Sequence, residues 1–330
     1  MTDTLLAVRN LSVTYPGDDG DVRAVRNVSF TLGRERLGIV GESGSGKSTT
    51  GRAIMGLVGP PGRIAADELR LGDTDLRGLS ERGFRKLRGQ RIAMVLQDPK
   101  YSLDPVMSVG QQIAETHRSH LRSTNRDARR AALEMLQAVH IRDPERVYTM
   151  YPHQVSGGMG QRVMIAMMLI AGPDILIADE PTSALDVTVQ TQVLAIIDDL
   201  VRSRGMGLIL ISHNLHLVSS FCDRVLVMYA GEIVEEAPVE RLFAAPAHPY
   251  TRLLLRSIPS VEAKRRTLEA IAGAPPSPLR FPGGCRFHPR CPLSVDLCAE
   301  KSPTREPASG GGIVRCWRKA DVLQIEALAS

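Results

Sequence analysis

The chain has 330 residues, 43% hydrophobic and 23% charged, an ordinary soluble globular composition with room for two domains and a sizeable core, and it fits no disordered class. The longest apolar run, Val163 to Ala171, is about half of what a bilayer span requires and ends at Gly172-Pro173-Asp174, so no membrane crossing is expected. The net charge of +5 is concentrated late: residues 251 to 330 hold 13 Lys/Arg against 7 Asp/Glu, too modest a surplus to point to nucleic acid.

Met1 to Val8 contains acidic Asp3 and lacks both a basic segment and an apolar stretch of signal length, so it reads as a strand and a cytosolic location is expected. Residues 5 to 15 and 22 to 32 predict an antiparallel hairpin around Gly17-Asp18-Asp19-Gly20. A short buried strand, Leu37 to Val40, leads into a glycine loop and a helix from Lys47 to Leu57, ended by Gly59-Pro60-Pro61-Gly62. Polar strands near Glu68 to Leu71, a basic helix Glu81 to Leu87 and a strand Ile92 to Leu96 follow, the last running into Gln97-Asp98-Pro99. From about Asp98 to Ala171 the pattern turns helical, with apolar periodicity in Val106 to Thr116 and Ala131 to Val139, and predicts a helical subdomain inserted into an α/β core. The core resumes with strand Ile175 to Ala178, helix Val187 to Val201, strand Leu208 to Ile211, helix Asn214 to Phe221 and strand Val225 to Tyr229. This alternation predicts a parallel sheet. Pro238, Pro246 and Pro249 mark the exit from the core, Ala274 to Pro278 reads as a linker, and there is no internal repeat.

Gly41-Glu42-Ser43-Gly44-Ser45-Gly46-Lys47-Ser48 has phosphate-loop spacing, in which glycines let backbone N–H groups converge on phosphate oxygens. Lys47 is placed to reach the β and γ phosphates and Ser48 to ligate magnesium. Ile175 to Ala178 delivers Asp179 and Glu180 to a strand end, where ligands bind in open α/β sheets. Asp179 is expected to hold magnesium through water. Glu180 is the candidate general base for attacking water, a role worth ~10² to 10⁴ in rate. A flexible glycine loop and a solvated acidic turn are the plain alternatives, and each is disfavoured by the other motif. Val155-Ser156-Gly157-Gly158-Met159 is a second phosphate-binding element, surplus for one nucleotide on one chain, and points to a site shared between two chains.

In the order of these motifs the chain resembles the nucleotide-binding subunit of an ATP-binding cassette (ABC) transporter over residues 5 to about 245. The resemblance implies an α/β P-loop NTPase fold: a RecA-like core, an antiparallel β subdomain and an inserted α-helical subdomain at about 98–171, within a nucleotide-binding domain 1–245. It implies that Tyr15 stacks on adenine and that Gly41, Ser43, Gly44, Ser45, Gly46, Lys47, Ser48 and Thr49 hold ATP. Magnesium is expected on Ser48, Gln97 and Asp179, with Gln97 sensing both the metal and the membrane partner. Ser156, Gly157, Gly158 and Asp186 would serve the ATP of the opposite subunit. Ser183-Ala184-Leu185-Asp186 matches the loop coupling the two sites, and His213 the switch histidine at the γ phosphate. Two departures stand out: Val155 replaces the usual leucine, and Gly160 costs about 1 kcal/mol of helix propensity against alanine.

The segment His248-Pro249-Tyr250-Thr251-Arg252-Leu253-Leu254 resembles the C-terminal extension of dipeptide, oligopeptide and nickel importers, here residues 246–330. Cys285, Cys291, Cys298 and Cys316, spaced C-x5-C-x6-C-x17-C, resemble the cysteine-bearing end of its peptide-importing members, some of which bind a 4Fe-4S cluster there. Zinc is disfavoured by the wide spacing, free or buried thiols remain an alternative, and a redox-sensing tail is a third. Arg286, Arg290, Arg315 and Arg318 are placed to offset cluster charge. Cys222 reads as a small buried residue.

The resemblance implies an ATPase that powers uptake of di- or oligopeptides from the cytoplasmic face of the cell membrane. Its expected partners are a second homologous ATPase subunit in a heterodimer, two transmembrane permeases docking at the helical subdomain and Gln97, and an extracytoplasmic solute-binding protein. No nucleic acid is expected. The alternatives are a nickel or metallophore importer and a soluble ABC ATPase, the latter disfavoured by the lack of a long coiled-coil insertion or a second cassette.

Overall fold

The computed structural model describes residues 4–18, 20–97, 102–182, 185–257 and 271–328. These fall into two compact units: a first unit of residues 78–209, and a second that joins residues 4–77 to the chain from Leu210 onward. The second unit begins with β1 (Leu6–Tyr15) and β2 (Val22–Leu32), antiparallel from Leu6↔Leu32 to Tyr15↔Val22. Leu6, Val8, Leu11 and Val13 are buried, but strict alternation fails at Arg9-Asn10, where two residues of β1 oppose Ser29 alone. The pair forms a bulge, with Asn10 at φ 52, so the two apolar runs on either side of it belong to one strand. The buried strand β3 (Arg36–Val40) then feeds α1 (Lys47–Ile54). This helix is shorter than the sequence predicts, because Gly56 takes positive φ and the Gly56 and Leu57 N–H groups turn back to the Ala53 and Arg52 carbonyls. The short strands β4 (Arg63–Ala65), β5 (Glu68–Leu71) and β6 (Thr74–Asp75) follow; β4 and β5 pair antiparallel with β1, and β6 pairs antiparallel with β5.

The first unit opens with α2 (Glu81–Leu87), capped by Ser80, and β7 (Ile92–Val95), every residue of which is buried. Its helices are α3 (Val109–Leu121), α4 (Asn125–Ala138), α5 (Pro144–Thr149) and α6 (Gly157–Leu169). Each starts on a side-chain cap that the sequence supplies: Ser108 with Gln111 as a capping box, Thr124, Asp143 before Pro144, and Ser156. Val106, counted above in an apolar period, precedes the Ser108 cap and is 79% exposed. The apolar periods read from the sequence fall largely within α3 and α4, with α3 starting later than Val106 and α4 earlier than Ala131. β8 (Ile175–Asp179) pairs in parallel with β7, from Ile92↔Ile175 to Val95↔Ala178. After α7 (Val187–Arg204), β9 (Gly207–Ser212) carries the chain into the second unit.

There α8 (Leu215–Phe221) is followed by β10 (Arg224–Tyr229), parallel to β3, and β11 (Glu232–Pro238), antiparallel to β10. β11 is absent from the predicted elements because acidic Glu235 and Glu236 interrupt its apolar pattern, yet Glu235 is fully buried. The Glu235 carboxylate accepts from the Ala247 N–H at 2.8 Å, from the His248 N–H at 2.9 Å and from the Arg241 guanidinium. It thereby fastens β11 to α9 (Val239–Ala244) and to the start of α10 (Pro249–Arg256). Late in the chain come α11 (Asp296–Glu300) and the two-residue strands β12 (Glu306–Pro307) and β13 (Ile313–Val314). β13 pairs with β11 at Glu235↔Val314, and β12 with β13, so the tail adds two strands to the sheet of the second unit. The predicted linker at Ala274–Pro278 has no regular structure. No helix among the described residues is long and apolar enough to cross a membrane.

Removing one partner of a buried, hydrogen-bonded ion pair strands the other charge. Glu235→Ala is therefore expected to lower the unfolding free energy by about 3–5 kcal/mol, measured by denaturant titration of the full chain.

Candidate functional site

In the second unit the phosphate-loop sequence forms a tight backbone cradle at the head of α1. A Cβ on Gly41 would collide with the Met228 carbonyl oxygen, and one on Gly46 would lie 2.6 Å from the Ala24 carbonyl oxygen, with φ 95 already left-handed. Backbone bonds fix the neighbouring strands: the Gly231 N–H donates to the Ser45 carbonyl at 3.0 Å, and the Arg26 N–H to the Gly231 carbonyl at 2.8 Å. Gly46 is the N-cap of α1, no side chain caps this helix, and its first turn has no acidic residue. Its opening N–H groups and dipole favour an anion. Lys47 is 6% exposed and donates to the Gly41 and Glu42 carbonyls at 2.8 and 3.0 Å. The Ser45 hydroxyl is buried and has no hydrogen-bond partner, an orphan that fits a ligand seated in the loop. Ser48 and Thr49 begin the helix beside Lys47, and Ser43 and Gly44 form the exposed bend before it. Tyr15, at the end of β1, is half-buried, and His213 lies exposed between β9 and the Asn214 cap of α8.

The first unit holds the remaining candidates. Asp179 ends the buried strand β8 at 5% exposure, and Glu180 follows at φ 47, a strained backbone for a residue with a Cβ. Gln97 follows β7 and is exposed. The Ser156 hydroxyl caps α6 by accepting from the Met159 N–H at 3.4 Å, and Ser156 and Gly157 are exposed. Gly158 packs so closely on α7 that a Cβ there would lie 2.7 Å from Val189 Cγ1. Asp186 caps α7 through the Val189 N–H at 3.0 Å. The structure thus brings Ser156, Gly157 and Gly158 together with the segment Leu185-Asp186; Ser183 and Ala184 lie outside the described residues, as do Asp98 and Pro99. Gly160 is buried and its N–H donates to the Ser156 carbonyl at 2.8 Å, so α6 runs through it unbroken.

All four tail cysteines are free thiols and line one cavity of about 10 Å³ in the second unit, with Phe287, His288 and Arg318 beside them. Burial pushes the Cys291 thiol up to about 11 and Cys316 up to about 12, and raises Cys285 as well. Among the described residues no group of three or more His, Cys, Asp or Glu is arranged to hold a metal ion. The arginines expected to offset cluster charge have other partners. Arg318 pairs with Asp321 at 2.6 Å, Arg290 with Glu42, and Arg286 donates to the Ala230 carbonyl with Glu232 at 3.6 Å. Arg315 reaches the Asn27 carbonyl at 3.4 Å. Cys222 is buried, as expected. Sequence reasoning missed Glu42, Tyr250 and Arg290 as neighbours in the loop: Tyr250 and Arg290 lie more than two hundred residues downstream of Glu42, and no local pattern links them to it.

Comparison with known proteins adds three findings. Residues 25–183 match the family described as ABC transporter, and residues 234–298 that described as oligopeptide/dipeptide transporter, C-terminal region. The chain is 47% identical to "Probable peptide ABC transporter ATP-binding protein y4tR" of Sinorhizobium fredii, covering 98% of this chain and 97% of that one. It is 44% identical to the oligopeptide transport ATP-binding protein OppD of Escherichia coli, covering 97% and 95%. Among solved structures, the ATP-binding cassette MJ0796 bound to ADP and Pi superposes with a TM-score of 0.64 at 27% identity, covering 71% of this chain and 98% of that one.

Because the carbonyl that excludes a Cβ at Gly46 is backbone, the loop must move to admit one. Gly46→Ala is expected to weaken binding of a magnesium nucleoside triphosphate by more than about tenfold while the far-ultraviolet circular dichroism stays unchanged, with affinity read by calorimetry.

Proposed function

The chain belongs to the ATP-binding subunits of ABC transporters, and from that premise we propose that it binds and hydrolyses ATP to power peptide uptake through a membrane importer. The observation that carries the ATP reading is the cradle at Gly41–Thr49, with its uncapped helix, buried Lys47 and orphaned Ser45 hydroxyl. The peptide reading rests on the match of residues 234–298 to the C-terminal region of oligopeptide and dipeptide transporters. Residues 1–245 are taken as the nucleotide-binding domain, with its helical subdomain at about 98–171, and 246–330 as the importer-type extension.

In this reading Gly41, Ser43, Gly44, Ser45, Gly46, Lys47, Ser48 and Thr49 hold the phosphates, and Tyr15 stacks on adenine. Ser48 and Gln97 would hold magnesium, with Asp179 reaching it through water. Magnesium would supply charge neutralisation at the phosphates. Glu180 takes the proton of attacking water, a role consistent with its place directly after β8. His213 contacts the γ phosphate. Ser156, Gly157, Gly158 and Asp186 serve the ATP of a second subunit, supported by the exposure of Ser156, Gly157 and Asp186. That subunit is a homologous but different chain, and the pair sits peripherally at the cytoplasmic face against two permeases served by a solute-binding protein.

The four tail cysteines are proposed ligands of a 4Fe-4S cluster. Their number and kind fit, since four thiolates hold such a cluster, and three separate segments bring them to one cavity. The cavity as it stands does not fit: about 10 Å³ admits roughly one water, so loading requires the tail to repack.

Two measurements test these readings. Glu180→Gln is expected to stop steady-state ATP hydrolysis and to accumulate ATP-bound dimers on size exclusion; normal turnover would remove Glu180 from its role. Anaerobically purified protein is expected to contain iron and acid-labile sulfide that Cys291→Ser loses, and iron-free protein from iron-replete cells would leave the thiols as packing.

A further inference from the structure

An acidic side chain inside a phosphate loop opposes polyphosphate binding, because like charges repel strongly where protein excludes water. Glu42 is the only acidic residue in Gly41–Thr49. Its carboxylate is held on both oxygens by Arg290: Nη1 donates to Oε2 at 2.8 Å, and Nη2 to Oε1 at 3.0 Å. The backbone of Glu42 is held as well, its N–H donating to the Tyr250 hydroxyl at 2.8 Å and its carbonyl accepting from Lys47 Nζ at 3.0 Å. The other three donors of Arg290 are also used. They reach the Tyr229 hydroxyl at 3.2 Å, the Ile271 carbonyl at 3.3 Å and the Ala272 carbonyl at 3.0 Å. Its guanidinium lies 5.8 Å from the Tyr229 ring centre and 5.9 Å from that of Phe287, and the side chain is only 6% exposed. A guanidinium with every N–H assigned has one orientation, and here Tyr229 of β10 and the tail carbonyls of Ile271 and Ala272 set it before any ligand arrives.

We propose that Arg290 is a positioning residue for nucleotide binding: pairing with Glu42 cancels the one negative charge of the phosphate loop and keeps that carboxylate from opposing the phosphates. Arg290 stands on the short turn His288–Arg290 between Cys285 and Cys291, so the C-terminal extension completes the phosphate loop of its own chain. The inference rests on the assignment of Gly41–Thr49 to ATP.

The test measures the affinity of the full-length chain for the magnesium complex of a non-hydrolysable ATP analogue, by calorimetry at two salt concentrations. Arg290→Gln is expected to weaken binding by about tenfold at low salt and by less at high salt, because the exposed repulsion is screened. Glu42→Gln is expected to bind more tightly than wild type, and the double variant Glu42→Gln/Arg290→Gln to regain most of the loss. Wild-type affinity in Arg290→Gln, or a double variant as weak as Arg290→Gln, would overturn the proposal. So would weaker binding in Glu42→Gln, which would mark the pair as a structural tie. Should Arg290→Gln fail to fold, the Glu42→Gln result decides alone: tighter binding supports the proposal and weaker binding ends it. Failure of the wild type to bind the analogue would instead remove the nucleotide assignment beneath it.

Discussion

The contact of backbone on backbone around the phosphate loop is the constraint on which the rest of the second unit depends. The carbonyls of Met228 and Ala24 occupy the space that side chains at positions 41 and 46 would need, and Gly231 bonds to Ser45 on one side and to Arg26 on the other. A loop held this way keeps its shape without a ligand, so little ordering entropy remains to be lost on binding. It also explains why α1 begins on a glycine and not on a capping side chain: a Ser or Asp cap would consume the N–H groups that an anion needs.

In the first unit the same economy appears in a different form. Ser156 and Asp186 each cap their own helix, and Gly158 lets α6 approach α7 closely. The two caps are thereby part of one packed surface and not independent loops. Glu180 is held at positive φ directly after the fully buried strand β8, and strain of that kind persists only where the surroundings over-determine it.

Two buried and fully hydrogen-bonded charges, Glu235 and Arg290, tie the tail to the rest of the second unit. Glu235 collects three donors, Arg290 uses five, and Tyr229, Tyr250 and Phe287 pack with ring centres 4.7 to 5.4 Å apart around them. Burial holds the His248 imidazole neutral, pushed down to about 3, which leaves its Nδ1 as the acceptor for the Tyr250 N–H at 3.0 Å. Interactions of this type are costly when half made, so loss of one partner leaves the other charge buried and unpaired.

The sequence by itself determined most of the local elements, because these depend on neighbours in the chain. Apolar alternation located β1 and β2, apolar periodicity located the middles of α3 and α4 while their starts at the Ser108 and Thr124 caps went unread, and glycine spacing singled out the loop that the fold builds as a tight backbone cradle. It failed at β11, whose buried Glu235 breaks the apolar pattern, and at the end of α1, where one left-handed glycine acts before the prolines. Only the tertiary structure decided which distant residues meet. The pairing of Arg290 with Glu42 spans 248 residues, and that of Tyr250 with the Glu42 N–H spans 208. Such contacts follow from how strands and turns pack, and packing geometry leaves no trace in local spacing.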